Sequence, residues 1–85
     1  MDALQSGDSL RLDQLERGQR AIVAGVDAGN GVGQRILEMG LFEGEELEIL
    51  AFAPLGDPIE VRVGDSRLSL RRSEAARVTV RLCTD

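Results

Sequence analysis

Few residues in this chain have side chains suited to chemistry. Cys83 stands alone near the C-terminal end, and Glu43, Glu45, Glu46 and Glu48 form a dense acidic run. Carboxylate oxygens suit hard divalent cations. A single thiolate can serve as a soft metal ligand or a crosslinking group. Gly29-Asn30-Gly31-Val32-Gly33 superficially has the look of a loop that cradles phosphate. Each feature also has a plainer reading. A P-loop needs Gly-Lys-Ser/Thr, and a dinucleotide fingerprint needs a βαβ unit with an acidic residue about 20 positions on. Neither pattern is present and the chain has no lysine, so the glycines read as a flexible connection from strand to helix. Alternation places Glu46 and Glu48 on the solvent face of a strand. There Arg62 on the neighbouring strand offsets them by under about 1 kcal/mol, and the same charge can steer a basic partner surface. Cys83 has no second cysteine to pair with and no histidine beside it, which favours an inert thiol.

Composition removes whole classes of function. Without histidine the chain lacks the commonest general base and the commonest metal ligand, and no Ser-His-Asp or Cys-His arrangement can form within it. No catalytic residue, cofactor or resident metal is expected. Fifteen acidic residues against ten basic ones give a net charge of -5, the opposite of a phosphate-neutralising surface. Phe42 and Phe52 are the only aromatics, too few to stack single-stranded bases. All ten basic residues are arginine, which reads as composition rather than as a functional signal. A single cysteine suits a reducing cytosol. No apolar run approaches the roughly 18 residues of a membrane span, and Met1 to Leu12 lacks the basic-then-apolar order of a secretory signal. The chain is therefore expected in the cytoplasm, meeting a membrane only through a partner.

Eighty-five residues allow one modest domain. Residues 1–9 read as a flexible N-terminal segment and 10–83 as the folded unit. Leu10 and Leu12 begin it as a short extended piece, after which Asp13 is placed to cap a single helical turn that Gly18 closes. The β-branched run from Ala21 to Val26 predicts a strand covered on both faces. Val32, Ile36 and Met39 then fall on one helical face, with Leu37 beside it and Gly40 at the position of a left-handed C-terminal cap. Beyond Gly44 the period becomes two. Leu47, Ile49 and Ala51 point inward, Pro54-Leu55-Gly56-Asp57-Pro58 makes a turn, and Ile59–Val63 and Arg67–Arg71 flank a Gly64-Asp65 hairpin. A Ser73-Glu74-Ala75-Ala76 turn leads to a last strand that ends with Val78, Val80 and Leu82 inward. These elements predict a mainly β fold: a small, closed, SH3-like barrel of about five strands with one short α-helix after the first strand.

Partner contact is the remaining use for such a surface. Met39, Leu41 and Phe42 crowd apolar area around Gly40, and Leu55 sits at the tip of a proline-bounded turn. These four residues are the expected docking surface, because exposed clusters of this kind are where binding energy concentrates. For Met39 and Leu41 the competing reading, that they plug one end of the barrel, is equally open.

Several pieces of the sequence resemble one family in order and spacing. Gly18-Gln19-Arg20-Ala21, Arg35-Ile36-Leu37-Glu38-Met39-Gly40-Leu41, Gly44, Ala53-Pro54-Leu55-Gly56-Asp57-Pro58 and Leu68-Ser69-Leu70-Arg71-Arg72 followed by Glu74-Ala75 are together similar to the FeoA family over about Leu10 to Leu82. Phe42-Glu43-Gly44 departs from it, standing where the family commonly has Thr-Pro-Gly. The resemblance implies an SH3-like domain acting in bacterial ferrous iron uptake as a small cytosolic accessory. Its implied partner is the FeoB-type membrane transporter with a cytosolic GTP-binding domain, which it would bind and regulate or assemble. Two alternatives stay open: a regulatory module like the SH3-like domain of metal-dependent repressors, and a small ferrous iron carrier using surface carboxylates. Weak self-association is compatible with all three.

Overall fold

A computed structural model describes residues 9–27 and 31–83. The expected flexible segment, apart from Ser9, and residues 28–30 of the glycine loop lie outside the described residues. The chain builds strands β1 (Ser9–Arg11), β2 (Arg20–Val26), β3 (Glu46–Phe52), β4 (Ile59–Val63), β5 (Ser66–Leu70) and β6 (Val78–Leu82). Helix α1 (Val32–Glu38) follows β2 and the single turn α2 (Arg72–Ala75) precedes β6. Short 3-10 turns occupy Leu12–Gln14 and Pro54–Gly56. None of the described helices is long and apolar enough to cross a membrane.

The strands form one antiparallel sheet in the order β1-β6-β2-β3-β4-β5. Two expectations are corrected here. The described residues form six strands rather than five, because the Leu10 piece pairs with β6, Leu10 facing Val80. The sheet is also not closed by hydrogen bonding: β1 and β5 are its two ends, and α2 packs against both β5 and the Leu12–Gln14 turn. Curvature comes from irregularities at two places. The β2–β6 register shifts between Val23 and Gly25, and the β3–β4 register shifts between Ile49 and Ala51. One extra residue in a strand bends it and reverses the faces beyond it. As a result Phe52, not Ala51, continues the inner row, opposite Ile59 and packed against the core, while Ala51 faces Glu60.

The core is aliphatic. Leu12, Val23, Ile36, Leu47, Ile49, Ile59, Val61, Leu70, Val78 and Val80 are all essentially without solvent contact. At the start of the domain the expected Asp13 cap is replaced: the Gln14 carboxamide oxygen accepts the Arg11 backbone N–H at 2.8 Å, and the Asp13 carboxylate accepts from Arg11 Nε at 3.0 Å. Leu12 opens the turn because its side chain belongs inside. The Gly64-Asp65 connection is a two-residue hairpin, with Val63 facing Ser66.

Candidate docking surface

The four residues expected to form one docking surface are divided by the fold. Helix α1 ends in a paired capping arrangement: the Gly40 N–H donates to the Leu37 carbonyl at 3.0 Å and the Leu41 N–H to the Ile36 carbonyl at 3.4 Å. Gly40 takes φ 102° to allow this reversal. The residue after such a glycine normally packs on the last helical turn, and Leu41 does so, with no exposure at all beside the equally buried Ile36. Leu41 is therefore core and is removed from the docking surface. Met39 is half-buried and rests against the same cluster.

Phe42 is 53% exposed. It opens a turn in which the Glu45 N–H donates to the Phe42 carbonyl at 3.0 Å, with Gly44 at φ 93°. A positive φ at the third of four residues makes this a type II turn, with Glu43 at the position proline favours. Glycine is favoured at position 44 by its positive φ, and Glu43 takes the place where the family pattern has proline.

Leu55 lies at the other end of β3, separated from Phe42 by seven strand residues or roughly 20 Å of extended chain. It is 103% exposed. The Gly56 N–H donates to the Ala53 carbonyl at 2.8 Å, so Pro54 and Leu55 are the central pair of a second type II turn. Leu55 holds φ 75° and ψ 5°, the place glycine or asparagine ordinarily takes. It is the one non-glycine residue with positive φ among those described.

Beneath this turn lies a residue the sequence reading missed. Arg72 donates from Nε to the Gly56 carbonyl at 3.2 Å and from Nη1 to the Asp13 carbonyl at 3.0 Å. Its backbone N–H reaches Asp57 Oδ1 at 3.0 Å, and its guanidinium lies 5.8 Å from the centre of the Phe52 ring. One side chain thus ties the Leu12–Gln14 turn, the Pro54–Gly56 turn and α2 together. Nothing in the local sequence marks it, because its acceptors are backbone carbonyls 16 and 59 residues away.

The acidic run faces solvent and is partly paired. Arg62 Nη1 sits 3.0 Å from Glu48 Oε1, as the strand alternation predicts, and Arg20 Nη1 sits 3.4 Å from Glu46 Oε2. No group of three or more Asp, Glu, Cys or His among the described residues is arranged to hold a metal ion. The hydrogen bond and charge of Asp13 hold Arg11 above its ordinary pKa. Cys83 is half-buried and its backbone N–H extends the β2–β6 pairing to Arg20 at 2.9 Å. Among the described residues Glu74 is the buried acidic side chain: Oε1 accepts the Arg71 N–H at 2.9 Å, and Arg35 Nη1 lies 3.7 Å from Oε2. Its part is structural, capping α2 and linking it to α1.

Known proteins share both the sequence and this architecture. The chain is 38% identical over 73 residues to the Fe(2+) transport protein A/Fe(2+) transporter FeoB fusion protein of Porphyromonas gingivalis, spanning 86% of itself and about 9% of that much longer protein. A FeoA-like protein from Clostridium acetobutylicum superposes with a TM-score of 0.85 at 33% identity, covering 92% of this chain and 91% of that one. FeoA of Stenotrophomonas maltophilia, solved with zinc and described as a prokaryotic SH3 domain protein, superposes at 0.74 with 37% identity over 84% and 88% of the two chains. A manganese-dependent transcriptional repressor shares the fold alone, at 17% identity and a TM-score of 0.79. The FeoA domain pattern itself matches residues 10–82, and this chain belongs to the FeoA family of ferrous iron transport.

Proposed function

We propose that this chain is a cytosolic accessory domain that binds a FeoB-type, GTPase-linked ferrous iron transporter and regulates or assembles it, with residues 10–83 as the working unit. The observation that carries this reading is the Porphyromonas relative, in which a FeoA-like segment and a FeoB transporter are parts of one polypeptide. Fusion raises the effective concentration of two modules that work together. The chemistry of the chain agrees: it has no histidine, and binding rather than bond-making is what a small aliphatic domain with exposed apolar tips offers. Phe42 and Leu55 are the proposed contact residues, with Met39 as support behind Phe42.

The two alternatives have less behind them. Likeness to a repressor at 17% identity speaks for fold only. The carboxylates a carrier would use are partly engaged, Glu46 and Glu48 with Arg20 and Arg62.

The experiment is a backbone amide NMR titration with the cytosolic GTP-binding domain of the cognate transporter, in GDP and in GTP-analogue states. Saturable shifts centred on Phe42 or on Leu55 are expected. An unchanged spectrum in every nucleotide state, for that domain and for the intact transporter, would refute the reading.

A further inference from the structure

We infer that Leu55 is a preorganised anchor, held in place by Arg72, that inserts into a leucine-sized apolar socket on the transporter's cytosolic part. The inference rests on the partner proposed above and narrows it to one end of the domain and one kind of contact.

Three observations meet at this residue. Leu55 is 103% exposed, so within this chain its side chain gains nothing from burial. It also occupies the left-handed region at φ 75°, which disfavours any residue with a Cβ and is served better by glycine or asparagine. Folding of the domain alone therefore favours a different residue at position 55 on both counts. Strained, exposed positions of this kind are characteristic of contact sites, where the cost is recovered on binding. The third observation is rigidity. Pro54 fixes one side of the turn, while the Arg72 guanidinium bonds Gly56 and Asp13 beneath the other and its backbone bonds Asp57. A side chain presented on a stiff support loses less freedom on docking than one on a mobile loop.

Phe42 differs on each point. It is half-exposed and its backbone is unstrained, and the positive φ of its turn falls on Gly44. The chemistry at the Leu55 tip is that of a single aliphatic knob, so the matching surface is a dry pocket rather than a charged one.

The test measures binding of the wild-type chain and of Leu55→Asn to the transporter's cytosolic GTP-binding domain and to the intact transporter. Leu55→Asn is expected to leave the melting temperature unchanged or higher while weakening binding roughly tenfold to hundredfold, the factor that burial of one leucine contributes. Arg72→Gln should weaken binding in the wild-type background and have no further effect in the Leu55→Asn background, because it acts through the turn. Wild-type binding with equal affinity for Leu55→Asn would overturn the anchor and leave the partner standing. Additive losses for the two substitutions would overturn the positioning role of Arg72. Absence of binding by the wild-type chain to either form would overturn the partner and the anchor together.

Discussion

Replacing Arg72 with alanine should destabilise the domain by about 1.5–2.5 kcal/mol, although the residue is exposed and a surface substitution ordinarily changes stability by roughly 0.5 kcal/mol or less. The magnitude follows from what is lost. Two hydrogen bonds to backbone carbonyls disappear, to Gly56 at 3.2 Å and to Asp13 at 3.0 Å, each worth about 0.5–1 kcal/mol at the low end suited to an exposed donor. The guanidinium over Phe52 at 5.8 Å adds roughly 0.5 kcal/mol at a solvent-facing site. The backbone bond to Asp57 survives, so the loss stays below that of a core deletion. For a domain of this size the change corresponds to a fall in melting temperature of about 6–20 °C. Urea or thermal unfolding followed by circular dichroism reads it directly. Arg71→Ala is the matched control: its guanidinium makes none of these contacts, and its backbone N–H, bonded to Glu74, is untouched. Equal losses for the two arginines, or a loss under about 0.5 kcal/mol at Arg72, would show that the Leu12–Gln14 turn and the Pro54–Gly56 turn are held by something else.

Two further substitutions test the other end of β3. Leu41→Ala removes a side chain with no exposure and should cost about 3 kcal/mol, whereas Phe42→Ala should cost about 1 kcal/mol or less because half the ring is already in water; matched denaturation curves check it, and equal costs would contradict the placement of Leu41 in the core. Glu43→Pro fills the second position of the type II turn closed by the Glu45 N–H and should stabilise the domain by roughly 0.4–1 kcal/mol through the unfolded chain, seen as a higher urea midpoint at unchanged slope.

Much of the fold was legible because period-two alternation is a local signal. Val61 and Val63, Leu68 and Leu70, and Val78 and Val80 each declare one face without reference to anything distant, and Gly64-Asp65 declares the hairpin between two of those strands. What failed to show were single-residue and long-range effects. The extra residue at Leu50 reverses the faces beyond it, so alternation alone places Ala51 inward, whereas the register pairs Phe52 with Ile59 and Ala51 with Glu60. The short β1 was read as an isolated extended piece because its partner β6 begins 67 positions after Leu10's own strand ends, at Val78 against Arg11. Leu41 carries a local signal of its burial: an apolar residue directly after a helix-closing glycine belongs on the last helical turn. Arg72 carried none. Among ten arginines, only the folded positions of Gly56 and Asp13 distinguish it from its neighbour Arg71.

The division of the apolar surface into two ends bears on how so small a domain could dock on the proposed transporter partner. A domain with fifteen fully or nearly buried aliphatic side chains among its described residues has little free energy to spare, and a broad apolar docking face would compete with its own core for hydrophobic area. A single exposed leucine on a braced turn avoids that conflict. The core takes Leu41, Met39 leans on it, and the proposed anchor Leu55 is a residue that the fold itself does not bury. The acidic strand face, with Glu46 and Glu48 already matched to Arg20 and Arg62, is then free to set the approach of a partner through long-range charge while contributing little to the final affinity. On this view, salt should slow association of the two proteins more than it weakens the complex once Leu55 is seated.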